Sequence, residues 1–189
     1  MGGPAPRAPG RARARGAARL VPRERGLGEP GREKGGRETG PSPVDRGKPG
    51  TKRHLIVDAK GLPLAALLSG ANRHDSLFLL PLLDAVPAVA SRRGPRRKRP
   101  AKLHADKAYD HRRLRKAVKD RGIACRIARK GVESTQRLGR RRWVVERTMS
   151  WVSRFRRLAV RYERRADIHL ALTVLACAMI CWKRLEGFC

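Results

Sequence analysis

The strongest constraint on this chain is where its large apolar side chains fall. Apart from Met1, residues 1–50 contain only Leu20, Val21, Leu27 and Val44 as large apolar residues, while holding 12 of the 19 Gly and 8 of the 13 Pro. A segment of that texture cannot bury enough surface to offset the entropy of ordering it. Residues 1–50 are therefore expected to be a disordered, basic, Gly/Pro/Arg-rich arm. One folded domain is expected over residues 51–185, and 189 residues are enough for it.

Charge sets the class of partner. Lys and Arg number 46 against 16 Asp and Glu, a formal net charge of +30. That excess implies a polyanion, most simply DNA or RNA bound through its phosphates. The cations are spread along the chain and not gathered beside a lipid anchor, so no membrane partner is expected. The cysteines are Cys125, Cys177, Cys181 and Cys189, with no C-x-x-C pair, which argues against a disulfide framework or zinc ribbon. The reading is a reduced, cytoplasmic, nucleoid-associated protein in which Cys177 and Cys181 pack on one helix face.

From residue 51 strands and helices alternate. His54–Asp58 and Leu62–Leu68 read as a hairpin around Gly61, with Asp58 as a turn-forming acid. A helix is expected from Leu77 to Val86, capped by Asp75 or Ser76. Residues 91–100 form a basic loop without an aromatic to stack on a base. Lys102–Ala105 reads as a strand delivering Asp106, and a carboxylate just past a strand end is where α/β folds place ligand-binding groups. A basic helix follows over His111–Asp120, stopped by Gly122, and then a strand over Ile123–Ile127. One long helix is expected over Leu138–Leu158, with Val144, Thr148, Trp151, Phe155 and Leu158 as its core-facing stripe. The last helix, Ile168–Leu185, is apolar nearly all round and is expected to be a buried core helix capped by Asp167.

Glu146 stands among Arg140, Arg141, Arg142 and Arg147 on the long helix, about 200° from Val144 at 100° per residue. It points away from the stripe, on the face of Arg142, Ser153 and Arg157. By periodicity alone it is either a surface ion pair with Arg142 or a ligand presented outside the core.

Read in order, Thr39-Gly-Pro-Ser-Pro-Val-Asp-Arg46, Gly50-Thr-Lys-Arg-His-Leu-Ile-Val-Asp58, Gly61-Leu-Pro-Leu64, Ser69-Gly-Ala-Asn-Arg-His-Asp75, Ala105-Asp-Lys-Ala-Tyr-Asp110, Arg142-Trp-Val-Val-Glu-Arg147 and Phe155-Arg-Arg-Leu158 resemble the DDE transposases of bacterial insertion sequences. The resemblance spans residues 32–185. It implies an α/β fold, a ribonuclease-H-like mixed sheet flanked by helices. It also implies transposase-type cleavage and strand transfer on insertion-sequence ends, with Mg²⁺ or Mn²⁺ as cofactor and DNA as partner.

By the same resemblance Asp106 is the second metal-binding catalytic acid, Glu146 the third, and Arg142 the arginine four before it. Gly139 stands where the family has a tyrosine and Ser153 where it has a lysine. Arg147, Arg154 and Arg157 are then candidates for phosphate contact. The first acid belongs on the first, central strand, upstream of Thr39. No Asp precedes Asp45, and neither that strand nor the family's N-terminal helix-turn-helix is expected here. Asp58 and Asp45 are the only substitutes to offer. The expectation is a truncated or frame-disrupted transposase domain with an open seam in its sheet, marginally stable and inactive alone. It could self-associate or be complemented by an upstream chain. The alternative is a basic nucleic-acid-binding protein without chemistry.

Overall fold

A computed structural model describes residues 17–23, 36–88, 98–129 and 135–187. The strands are β1 (Ala17–Arg23), β2 (Gly40–Pro41), β3 (Pro49–Val57), β4 (Pro63–Gly70), β5 (Lys102–Ala105) and β6 (Ala124–Ile127). The helices are α1 (Leu79–Asp84), α2 (Arg112–Asp120), α3 (Thr135–Ser153), α4 (Arg156–Ala159) and α5 (Ala166–Leu185). The sheet is mixed, in the order β2-β3-β1-β5-β6, with β4 also pairing β3. β3 is antiparallel to β1 and β4, whereas β1, β5 and β6 are parallel.

The expected gap in the sheet is filled. Ala17–Arg23 runs between β3 and β5, pairing Arg19 with Val57 through Arg23 with Arg53 on one side. On the other side Ala17 pairs with Lys102 and Leu20 with Ala105. The central strand is therefore present and the open seam is not. The sequence hides it because Arg19, Pro22 and Arg23 cut its apolar run to Leu20-Val21, and because proline brings no N–H to a ladder. β5 ends opposite Leu20, so Pro22 has β3 alone beside it, opposite His54. Gly36–Gly50 is also ordered, through bonds such as Ser42 N to Lys48 O at 2.8 Å and Thr39 N to Gly36 O at 3.1 Å. The rest of the expected disordered arm, residues 1–16 and 24–35, lies outside the described residues, as does most of the basic loop of residues 91–100.

β3 carries the core on both faces, since its side chains alternate. Ile56 joins Leu79, Leu82, Leu103, Leu114 and Val118 beneath α1 and α2. Leu55 and Val57 join Val145, Met149, Val152, Leu158, Ala176 and Ile180 beneath α3, α4 and α5. This three-layer arrangement explains the unbroken apolar run Leu55-Ile56-Val57.

Most expected elements appear within a few residues of their predicted bounds. The helix expected from Leu77 instead opens as a 3-10 turn, Asp75–Phe78, capped by His74, whose Nδ1 accepts from Ser76 N. The helix expected to reach Leu158 stops at Ser153, and the chain restarts in α4 with extended Phe155 as its cap. Arg165, not Asp167, is the cap residue of α5, and Asp167 sits in the first turn paired to Arg165. Burial of α5 on all sides is overturned: His169, Thr173, Ala176 and Ile180 are buried, but Leu175 and Trp182 are 57% and 63% exposed. The apolar residues on its outer face outnumber what the small sheet can cover. Cys177 packs against the core, half-buried, and burial pushes its thiol up to about 12, while the half-buried Cys181 Sγ lies 3.9 Å from Pro63 O.

Two buried histidines make the fold acid-sensitive. Burial lowers both His54 and His169 to about 4, helped by Lys52 at the first and by Arg53 and Arg161 at the second. Both titrate near 6.5 when unfolded. Between pH 6.5 and 4 the folded chain therefore binds fewer protons, so the stability they confer is full above 6.5 and is lost as pH falls. Burial also works against the Glu163 carboxylate. Its bonds to Arg157 and His169 outweigh that and hold it below the usual range, extending the loss to lower pH. Chemical denaturation should show stability falling by on the order of a few kcal/mol from pH 7 to 4, and falling less steeply in His54→Gln.

Candidate active site

β5 passes through the core at Leu103 and Ala105 and emerges at Asp106. Asp106 has extended backbone, and its Oδ1 accepts from Lys107 N at 2.7 Å, which starts the 3-10 turn Lys107–Tyr109. Its carboxylate is half-buried at the carboxyl end of a parallel strand, as expected. Tyr109, at the end of that turn, is fully buried. Its hydroxyl has no hydrogen-bond partner among the described residues. Burial raises that phenol well above its ordinary value, and the negative charges of Asp75 and Asp106 add to the shift. Asp75 is thus within electrostatic reach of the same phenol as Asp106. It is paired in turn with the buried ammonium of Lys52 at 3.4 Å.

Lys52, Asp75 and Tyr109 were not expected at the site. Asp75 had read as a helix cap, and Lys52 had been given no role. Their closeness arises from packing between the Asp75–Phe78 and Lys107–Tyr109 turns, which lie far apart in sequence.

Glu146 comes from the other layer. α3 turns Val144, Val145, Thr148, Met149 and Val152 inward and leaves Glu146 exposed, as its periodicity implies. The stripe is rotated from the expected one: Trp151 is only partly buried, and Ser153 is buried with its Oγ donating to Met149 O. α3 lies against β1 and β3, and β1 lies beside β5. The elements that carry the two acids therefore meet at β1. That strand reads Ala-Ala-Arg-Leu-Val-Pro-Arg and brings no acid. Among the described residues no group of three or more His, Cys, Asp or Glu is placed to hold a metal ion.

The arginines divide by use. Arg147 lies between the rings of Trp143 and Trp151, 4.6 and 4.7 Å from their centroids, and donates to Lys60 O at 2.7 Å. These residues stand four apart on one helix face, so they stack as a ladder. Beside it, Thr148 Oγ1 donates to Gly61 O at 2.7 Å. Together they latch the β3–β4 turn onto α3. Arg157 lies on α4, paired with Glu163 at 2.6 Å. Arg154 is exposed, and the side chain of Arg142 lies outside the described residues. Asp58 is a turn former: its Oδ1 accepts from Lys60 N and Leu62 N, each at 2.8 Å. Asp45 is likewise turned inward on its own loop, 3.8 Å from Lys48.

The latch explains Gly61. Its φ is +90°, and an added Cβ would lie 2.9 Å from both Arg147 Nη2 and Thr148 Oγ1. Gly61→Ala is expected to cost about 1–3 kcal/mol in urea unfolding, from backbone strain and a displaced latch.

The sequence model of the family described as Transposase DDE domain matches residues 21–181. The chain belongs to this family of DDE transposases. A relative from Burkholderia cepacia, named "Putative transposase for insertion sequence element IS402", is 51% identical over 149 residues, covering 79% of this chain and 71% of that protein. The family match begins within β1 and ends within α5, so it takes in both layers and both acids. Transposases act in DNA transposition, and the DDE family generally uses divalent metal ions, which accords with the cationic surface and the two carboxylates.

Proposed function

We propose that this transposase domain binds DNA and holds one divalent ion with Asp106 and Glu146, but does not cut or join DNA by itself. The observation that carries this reading is β1. It occupies the centre of the sheet, between the element bearing Asp106 and the helix bearing Glu146, and its seven residues include no carboxylate. We infer a ribonuclease-H-like sheet from the strand order: an antiparallel β4-β3-β1 unit continued by parallel β5 and β6.

The donors fit Mg²⁺ or Mn²⁺. Both are hard carboxylates, and Mg²⁺ is commonly held by one or two such groups, with water and phosphate oxygens completing its shell. When bound, the ion would supply charge stabilisation to a phosphate; two-ion chemistry needs a further carboxylate. Asp106 is positioned by its bond to Lys107 N, and Glu146 by the inward packing of its neighbours Val145 and Met149. Arg154 and the rest of the cationic surface would hold the DNA backbone.

Cleavage and strand-transfer assays on terminal-repeat DNA, with Mg²⁺ or Mn²⁺, are expected to give no product, while DNA binding persists and weakens steeply with salt. Product that disappears in Asp106→Ala would disprove the inactivity and confirm the acid together. A purely DNA-binding role, with both acids structural, is favoured only by the capping bond of Asp106, and metal titration separates the two readings.

A further inference from the structure

The outer face of α5 is apolar and uncovered. Ile168, Ala171, Leu175, Ala178, Trp182 and Leu185 follow one another at spacings of 3-4-3-4-3 and all are exposed, Leu185 by 79%. The residues that dock α5 on the core, His169, Thr173, Ala176 and Ile180, form a separate row on the opposite side. The outer row has the seven-residue repeat of a coiled-coil seam, widened by exposed Val174 and Met179. Soluble monomers rarely leave so continuous an apolar stripe in water.

Among the described residues nothing covers this face. The segments outside the described structure, residues 1–16, 24–35, 89–97, 130–134 and 188–189, offer only Met1, Leu27, Val89, Val132 and Phe188 as large apolar residues. None has a matching stripe. DNA is not the occupant, because no Lys or Arg lies between Ala166 and Trp182. Nor is α5 free to span a bilayer, although it is long and apolar enough, because its inner row is packed on the protein.

We propose that this face binds α5 of a second copy of the chain in an antiparallel pair. Two copies of charge +30 repel, and this near-neutral helix is a surface on which they can meet. The stripe is also complementary to itself when reversed. Setting Leu175 against the partner's Ala178 also sets Trp182 against the partner's Ala171 and Leu185 against the partner's Ile168. Large meets small in the central layers, as dense packing needs. A parallel pair would oppose Trp182 to itself and leave alanine facing alanine. The face is on the order of 500 Å² per copy, small for a specific interface, so association in the micromolar range is expected.

The test is the solution mass of the full chain, freed of nucleic acid and held in high salt, across a hundredfold concentration range. The native mass should rise from one chain of 21.1 kDa towards two. Leu175→Glu and Ala178→Trp should each stay at one chain with an unchanged thermal melt, since both positions are exposed. The double variant Leu175→Ala/Ala178→Trp exchanges large and small where residues 175 and 178 meet in the antiparallel pair and should dimerise again, which a parallel pair would not do. A native chain that stays monomeric throughout, or a Leu175→Glu variant that dimerises like it, overturns the proposal. So does flotation of the native chain, but not Leu175→Glu, with phosphatidylcholine vesicles, which would assign the stripe to a lipid surface.

Discussion

Arg161→Ala is expected to remove about 3–5 kcal/mol of folding stability, enough to unfold much of a domain of ordinary stability. Arg161 is only 4% exposed. Its Nε donates to Glu163 O at 2.9 Å, and one terminal nitrogen reaches Glu38 O, Thr39 Oγ1 and Thr51 Oγ1. The other reaches Arg37 O at 2.9 Å and Arg164 O at 3.3 Å. One guanidinium thus ties the segment before β2, the first residues of β3 and the link into α5. Truncation removes six hydrogen bonds of a buried guanidinium at once, the one to Glu163 O fully buried and the other five part-buried, and a hydrogen bond to a charged group contributes about 1.5–3 kcal/mol. Arg161→Lys keeps the charge but loses the planar fork, so it should recover less than half of the loss. Urea unfolding at a fixed m-value measures both, and a loss under about 1 kcal/mol for Arg161→Ala would mean that the network carries little.

Arg161 also shows where the sequence is mute. Nothing in Val160-Arg161-Tyr162-Glu163 distinguishes a buried arginine from its exposed neighbours. The burial depends on the ordered turn at Gly36–Thr39, far away in the chain. β1 was obscure for a different reason: its arginines and proline contradict strand propensity, and pairing on both sides overrides it. By contrast β5, α2, β6 and the outward direction of Glu146 were legible, because period-2 and period-3.6 patterns report local packing directly. α5 was half legible: its helix and length were plain, but an all-round apolar sequence cannot say which side the sheet will cover. At the site, Asp106 was marked by its place after a strand, whereas Asp75 and Tyr109 reach it only through packing between two turns.

The second large effect concerns metal. In the proposed site Asp106 and Glu146 share one ion, so neither is dispensable. Losing even an outer-shell partner typically costs 10–100-fold in metal affinity, so removing a direct ligand should cost at least about 100-fold. Asp106→Ala and Glu146→Gln are both expected to have this effect while melting within a few degrees of the native chain, since Glu146 is exposed and Asp106 only half-buried. Asp58→Asn should leave the ion in place, because that carboxylate is engaged with Lys60 N and Leu62 N in its turn.

The most direct measurement is therefore a Mn²⁺ titration followed by electron paramagnetic resonance on the native chain, Asp106→Ala, Glu146→Gln and Asp58→Asn. The account predicts one bound ion in the native chain and in Asp58→Asn, and none at the same concentrations in the other two. Equal binding in the native chain, Asp106→Ala and Glu146→Gln, or no binding in any, would contradict it.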